Sequence, residues 1–134
     1  MSDRRFEIDT PVTDSEIREI ENVLGRELPQ DYCNFLKEFG GAFVGGLIDG
    51  SEEFPILTFF GASGSKGILN KLHAHSDLKN NGILPMADCE FGNLYVLDQE
   101  NTIHYINYYG GITKVRKVAG SFKDFIARIV VRDE

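Results

Sequence analysis

Along the first forty residues the hydrophobic positions fall on a helical period. Ile17, Ile20 and Leu24 recur on one face while Glu19 and Glu21 point elsewhere. Thr13-Asp14-Ser15-Glu16 reads as a capping box, in which the Thr13 hydroxyl accepts from the Glu16 amide and the Glu16 side chain reaches back to the Thr13 amide. Val12 and Ile17 flank it at hydrophobic-staple positions, and Gly25 suits the left-handed turn that ends a helix, so the spacing predicts a helix over 14–24. Pro29 fits the first turn of a second helix, where its missing amide hydrogen costs nothing. Tyr32, Phe35, Leu36 and Phe39 then form an i, i+3, i+4, i+7 stripe that Gly40-Gly41 stops. Two short amphipathic helices joined by a few residues form a helical hairpin, and their apolar stripes need a common cover.

Four later segments supply that cover as strands: 54–60, 83–87, 93–97 and 102–107 are short and rich in β-branched or aromatic residues. Asp98-Gln99-Glu100-Asn101 is a hairpin turn between the last two. The strands it joins show little polar alternation, so both faces of this hairpin are expected to be covered by helices or loops. A helix over 65–78 is predicted from Ile68, Leu69 and Leu72, with Asn80-Asn81-Gly82 as its terminating turn. Ser121-Phe122-Lys123-Asp124 offers another cap, and Phe122, Phe125, Ile126, Ile129 and Val130 predict a C-terminal helix reaching the terminus. Helices first, then strands, then a closing helix argue for an α+β fold: an N-terminal helical hairpin and a C-terminal helix packed on a mostly antiparallel sheet. No repeat or linker divides the chain, so residues 1–134 are expected to form a single domain.

Composition narrows the class. At 134 residues a chain buries roughly two-thirds of the surface its unfolded form exposes. A content of 42% hydrophobic residues, ten Phe and five Tyr excludes the disordered class. The formal charge is −7, which makes a bare phosphate backbone an unsuitable ligand, so no direct nucleic-acid partner is expected. Acidity is concentrated: residues 1–60 hold 13 acids and 5 bases, whereas 61–134 hold 8 acids and 9 bases. A basic protein partner would be steered toward the first part. Cys33 and Cys89 do not form the pattern of a secreted disulfide framework. The polar start Met1-Ser2-Asp3-Arg4-Arg5 and the lack of any run near 18 apolar residues add to the expectation of a soluble, unprocessed, cytoplasmic protein without a membrane partner.

Candidate chemistry is sparse. The loop Gly61-Ala62-Ser63-Gly64-Ser65-Lys66-Gly67 lies between a predicted strand and helix, as phosphate-cradling loops do. Its Ser65 precedes Lys66 and Gly67 follows, leaving no hydroxyl for magnesium, so a surface loop is the better reading. Asp88, Glu90 and Asn93, with Asp98 nearby, offer oxygens to a hard cation, but turn chemistry accounts for the same residues. His73, His75, His104 and the two cysteines are the only soft metal ligands, and positions i and i+2 of a helix diverge. Cys89 and His104 form a conceivable nucleophile pair without a recognisable third group. The expectation is therefore no catalytic residue, no metal and no cofactor. Tyr108 and Tyr109, followed by Gly110-Gly111, fall in a loop where paired tyrosines serve contacts, either as a binding site or equally as half-buried loop anchors.

Taken in order, several motifs resemble the SUKH superfamily, also called the cell-wall assembly regulator family after its yeast members. These are the 13–24 helix, Leu-Pro-x-Asp-Tyr-x-x-Phe-Leu at 28–36 with glycines after it, Ile-Leu-Pro-x-Ala-Asp at 83–88, Gly92-Asn93, Leu97-Asp98 and Ser121-Phe122-x-x-Phe125. The chain departs from the pattern at Phe39-Gly40-Gly41, where many members show Asn-Gly-Gly, and at Cys89-Glu90-Phe91, where many show a glycine run. The resemblance implies an α+β fold and, for most bacterial members, an immunity protein that binds and neutralises a polymorphic toxin, often a nuclease. A regulatory scaffold or small-ligand-binding module is the alternative, and a small metal-dependent or thiol hydrolase a third reading. An acidic inhibitor suits a basic toxin. The expected interface combines Asp49, Glu52 and Glu53 with Glu90, Phe91, Tyr108 and Tyr109, joining charge for steering to aromatic anchors.

Overall fold

The structure is a computed structural model that describes residues 5–8, 10–62, 67–89, 92–108 and 113–131. Along the chain run β1 (Glu7–Ile8), α1 (Asp14–Leu24), α2 (Gln30–Phe39), β2 (Ala42–Ile48), β3 (Pro55–Phe59), α3 (Ile68–Ala74) and α4 (Ser76–Asn80). Then come β4 (Leu84–Asp88), β5 (Leu94–Leu97), β6 (Ile103–Asn107), β7 (Lys114–Ala119), α5 (Phe122–Ala127) and β8 (Ile129–Val131). The fold is α+β, with helices packed on a curled antiparallel sheet.

The capping box at Thr13 forms: Thr13 Oγ1 accepts from the Glu16 amide at 3.2 Å, and Glu16 Oε1 accepts from the Thr13 amide at 3.0 Å. Gly25 ends α1 in the left-handed region at φ 86°. Pro29 caps α2 from just outside it, and Tyr32, Phe35, Leu36 and Phe39 bury their stripe. All four predicted strands are present. The predicted 65–78 helix is instead two short ones, because His75 leaves helical geometry at φ −125°, ψ 66° and turns the chain between α3 and α4.

Strand order is β1-β2-β3-β4-β5-β6-β7, with β8 also paired to β2. Since one edge of β2 carries β3, its other edge is shared: β1 pairs at Ala42 and Phe43, and β8 pairs from Gly46 to Ile48. The predicted C-terminal helix does not reach the terminus. It stops at Ala127, and Ile129, Val130 and Val131 pair as a strand. Three consecutive β-branched residues favour that outcome, and Gly46 permits it, because a Cβ there would stand 2.6 Å from the Val130 carbonyl oxygen. Arg5 holds the junction by donating to the carbonyls of Ile126 and Ile129 at 2.8 and 2.9 Å.

One face of the sheet carries the aromatic core. Phe59 meets Phe35, Phe122 and Phe125 at 4.8–6.3 Å between centroids, and Tyr95 meets Phe125 at 5.2 Å, which seats α2 and α5 there. Neighbouring residues of a strand point to opposite faces, so Val96, His104 and Ile106 face away from that layer. Leu78 of α4 approaches them from the other side, and α3 packs on β4 and α1. Both faces of the central hairpin are covered, as its unalternating sequence requires. The curl shows in Phe54, just before β3, which touches Tyr105 of β6 at 5.7 Å and lies 5.2 Å under the Arg116 guanidinium of β7. In a flat sheet β3 and β7 would be roughly 19 Å apart, four spacings of about 4.8 Å.

Candidate functional site

An antiparallel meander sends alternate connections to opposite ends. The connections β2–β3, β4–β5 and β6–β7 therefore gather at one end, while the β3–β4 connection and the 98–101 turn leave the sheet at the other, with α3 and α4 running back over its face so that His75 reaches Tyr108. The gathered loops are those to which the sequence assigned an interface. Asp49, Glu52 and Glu53 sit in the first and Tyr108 opens the third; Glu90, Phe91 and Tyr109 lie outside the described residues.

Asn93 ties two of these loops together. It is 4% exposed; its Nδ2 donates to the Tyr105 hydroxyl at 3.0 Å, and its Oδ1 accepts from the Tyr108 amide at 2.9 Å. Cys89 lies 3.6 Å from the same hydroxyl, and its amide donates to the Asn93 carbonyl at 3.1 Å. Burial and the neighbouring thiol push Tyr105 up to about 12, against the pull of the Asn93 amide. Tyr105 is therefore a protonated phenol at neutral pH. Gly92, at φ 82°, supplies the turn. Asn93 reads in sequence as a turn former; its bond to the β6–β7 loop is a tertiary fact.

Asp49 and Glu53 are engaged by arginines within the chain. Asp49, at φ 56°, takes a forked interaction from Arg128, with distances of 2.6–3.1 Å. That hydrogen bonding holds the Asp49 carboxyl below its ordinary value and raises Arg128 above its own. Glu53 pairs with Arg116, whose guanidinium also covers Phe54. Both pairs are largely exposed to solvent, so each contributes little to stability. Their effect is to order the loop and to mix basic groups into an acidic surface.

The remaining candidates separate. Cys89 turns to Tyr105, whereas His104, on the opposite face, meets Asp98 at 2.7 Å, so the conceivable nucleophile pair does not assemble. His73 is exposed on α3, while His75 stacks on Tyr108 at 5.9 Å. Cys33 is buried in α2, and burial pushes its thiol up. Asp98 belongs to its turn, its Oδ1 accepting from the amides of Glu100 and Thr102 at 2.9 Å. Burial opposes ionisation of Asp98, but these bonds and His104 outweigh it and hold the carboxyl low. Among the described residues no three His, Cys, Asp or Glu side chains converge on a point that would hold a metal. Positions 63–66 of the glycine-rich loop lie outside the described residues; Gly61 and Gly67 pair across it.

Sequence reasoning missed Arg26. Just past the cap of α1, its guanidinium donates to the carbonyls of Gly82, Leu97 and Asp98 and to Asn101 Oδ1 at 2.7–3.0 Å, joining the helical hairpin to the far end of the sheet. A lone arginine in a turn carries no local signal of such a role.

Among the described residues no helix is long and apolar enough to cross a membrane. No curated protein matches the chain at a significant level. The model of the SMI1 / KNR4 family (SUKH-1) matches residues 11–128, a span that runs from the entry into α1 to the end of α5 and takes in both the helical hairpin and the looped end of the sheet. The chain therefore belongs to the SMI1 / KNR4 family (SUKH-1).

Proposed function

We propose that this chain is a bacterial, cytoplasmic immunity protein that binds a cognate toxin and neutralises it by covering it. The toxin is a basic protein of a polymorphic system, such as a nuclease. The observation that carries this reading, beside the family, is the convergence of three loops on one end of the sheet. Antiparallel connectivity brings the three connections to the same end of the scaffold, and such loops accept sequence change more readily than the core. We place the interface there, on Asp49, Glu52, Glu53 and Tyr108 together with Glu90, Phe91 and Tyr109.

Charge supports the pairing. A net charge of −7 attracts a basic domain at long range and raises the association rate, even though Asp49 and Glu53 each share their charge with an arginine. Aromatic residues of these connections supply affinity once the surfaces meet. The test is co-expression with the toxin encoded directly upstream. The chain should rescue growth and bind the toxin in titration calorimetry, and reversal of Glu52 and Glu53 combined with Phe91→Ala and Tyr108→Ala should weaken binding at least tenfold. Unchanged affinity in that variant would move the interface elsewhere. Failure of the native chain to bind or rescue would remove the immunity reading and favour the regulatory one.

A further inference from the structure

A cleft of about 340 Å³ opens on the face of the sheet opposite α5. Its floor is apolar, formed by Leu78 of α4, Ile83, Val96 of β5 and Ile106 of β6. Its rim carries Asp77, Asp98 and Tyr108. We propose that this cleft binds a small amphipathic cation, an ammonium or guanidinium group on an apolar stem.

The volume lies in the range of small-ligand pockets, and the composition follows their rule of apolar walls with a few converging polar groups. The sign of the charge comes from the rim. Among the described residues no lysine or arginine lines the cleft, and His104 is the one basic side chain, already held by Asp98. The Asp77 carboxylate makes no ion pair among the described residues and stands close enough to Tyr108 for its charge, added to burial, to push the phenol up. Tyr108 is thereby kept neutral, with its ring braced by His75 at 5.9 Å. An aromatic face beside an unpaired carboxylate favours a cation. An anion would meet two carboxylates, Asp77 and Asp98. The floor accounts for the stem, since Leu78, Ile83, Val96 and Ile106 line it with apolar side chains.

The same head group occurs on a free amine and on a lysine of a partner protein; the cleft's volume of about 340 Å³, in the range of small-ligand sites, favours the free molecule. Methyl-labelled protein should be titrated with n-hexylammonium, hexanoate, hexanol and acetyl-Gly-Lys-Gly-amide. Hexylammonium should shift the methyl resonances of Leu78, Val96 and Ile106 and saturate below about 10 mM. Hexanoate, hexanol and the peptide should leave them in place over that range. Asp77→Asn, at an exposed position, should weaken hexylammonium by about 2–5-fold. The proposal is overturned if hexanoate or hexanol binds equally well, if the peptide binds more tightly than the free amine, if shifts fall outside the cleft or are absent, or if Asp77→Asn leaves binding unchanged.

Discussion

Replacing Asn93 by alanine removes two hydrogen bonds that link three segments of the chain. The Tyr105 hydroxyl loses its 3.0 Å donor and keeps only the Cys89 sulfur at 3.6 Å, a weak partner. The net loss there is about 1 kcal/mol. The Tyr108 amide loses its 2.9 Å acceptor at a part-buried site, which costs a further 1–3 kcal/mol or so. A destabilisation of about 2–4 kcal/mol follows, equivalent to roughly 6–20 °C in Tm for a domain of this size. Urea denaturation of Asn93→Ala, Tyr105→Phe and the double variant measures both the loss and its origin. The two changes share one hydrogen bond, so the double variant should fall short of the sum by at least about 0.5 kcal/mol. Hydrogen exchange should show the Tyr108 amide losing protection in Asn93→Ala and keeping it in Tyr105→Phe. A loss below about 0.5 kcal/mol, or strict additivity, would refute the view that Asn93 clamps the β4–β5 and β6–β7 loops.

Gly40 and Gly25 both have positive φ, but a Cβ at Gly40 would lie 1.9 Å from the Thr10 carbonyl oxygen and one at Gly25 would meet nothing within 4 Å. Gly40→Ala should therefore cost more than about 3 kcal/mol and Gly25→Ala no more than about 2 in thermal or urea unfolding. Arg26→Lys keeps the charge but not the fork, and should cost about 2–3 kcal/mol by the same assay, since an ammonium cannot span four acceptors on two segments. Asp49 and Asp98 both titrate below the ordinary carboxylate value of about 3.9 in the folded protein. Their contribution to stability is accordingly complete above about pH 4 and is lost as pH falls through the folded values. The urea midpoint should drop below pH 4, less steeply in Asp98→Asn, with no change from these groups between pH 7 and 9.

Local chemistry was legible where it is self-contained. The Thr13 box, the α2 stripe and the 98–101 turn each involve residues within a few positions of one another, so their pattern can be read from the chain. Strands β2 and β7 were not legible. Ala42–Ile48 contains Gly45-Gly46, which read as punctuation, yet that glycine pair is what lets β8 approach. Lys114–Ala119 exposes four of its six residues at the sheet edge and carries no apolar run. The C-terminal strand was hidden because Ile129 and Val130 continue the helical spacing of Phe122, Phe125 and Ile126; only pairing with β2 decides against it.

The same division holds for the candidate site. Sequence alone determined the helical hairpin, the α+β class, the acidic balance and the residues that resemble a known family, because each depends on periodicity, composition or short spacing. It also named Asp49, Glu52, Glu53 and Tyr108, which are loop residues of suitable type. That those loops meet at one end, that Asp49 and Glu53 are bound to Arg128 and Arg116, and that Asn93 and Arg26 each join distant segments were decided by the tertiary structure. The reason is strand order: an antiparallel meander fixes which turns are neighbours, and partners 63, 72 or 79 residues apart leave no mark on local pattern.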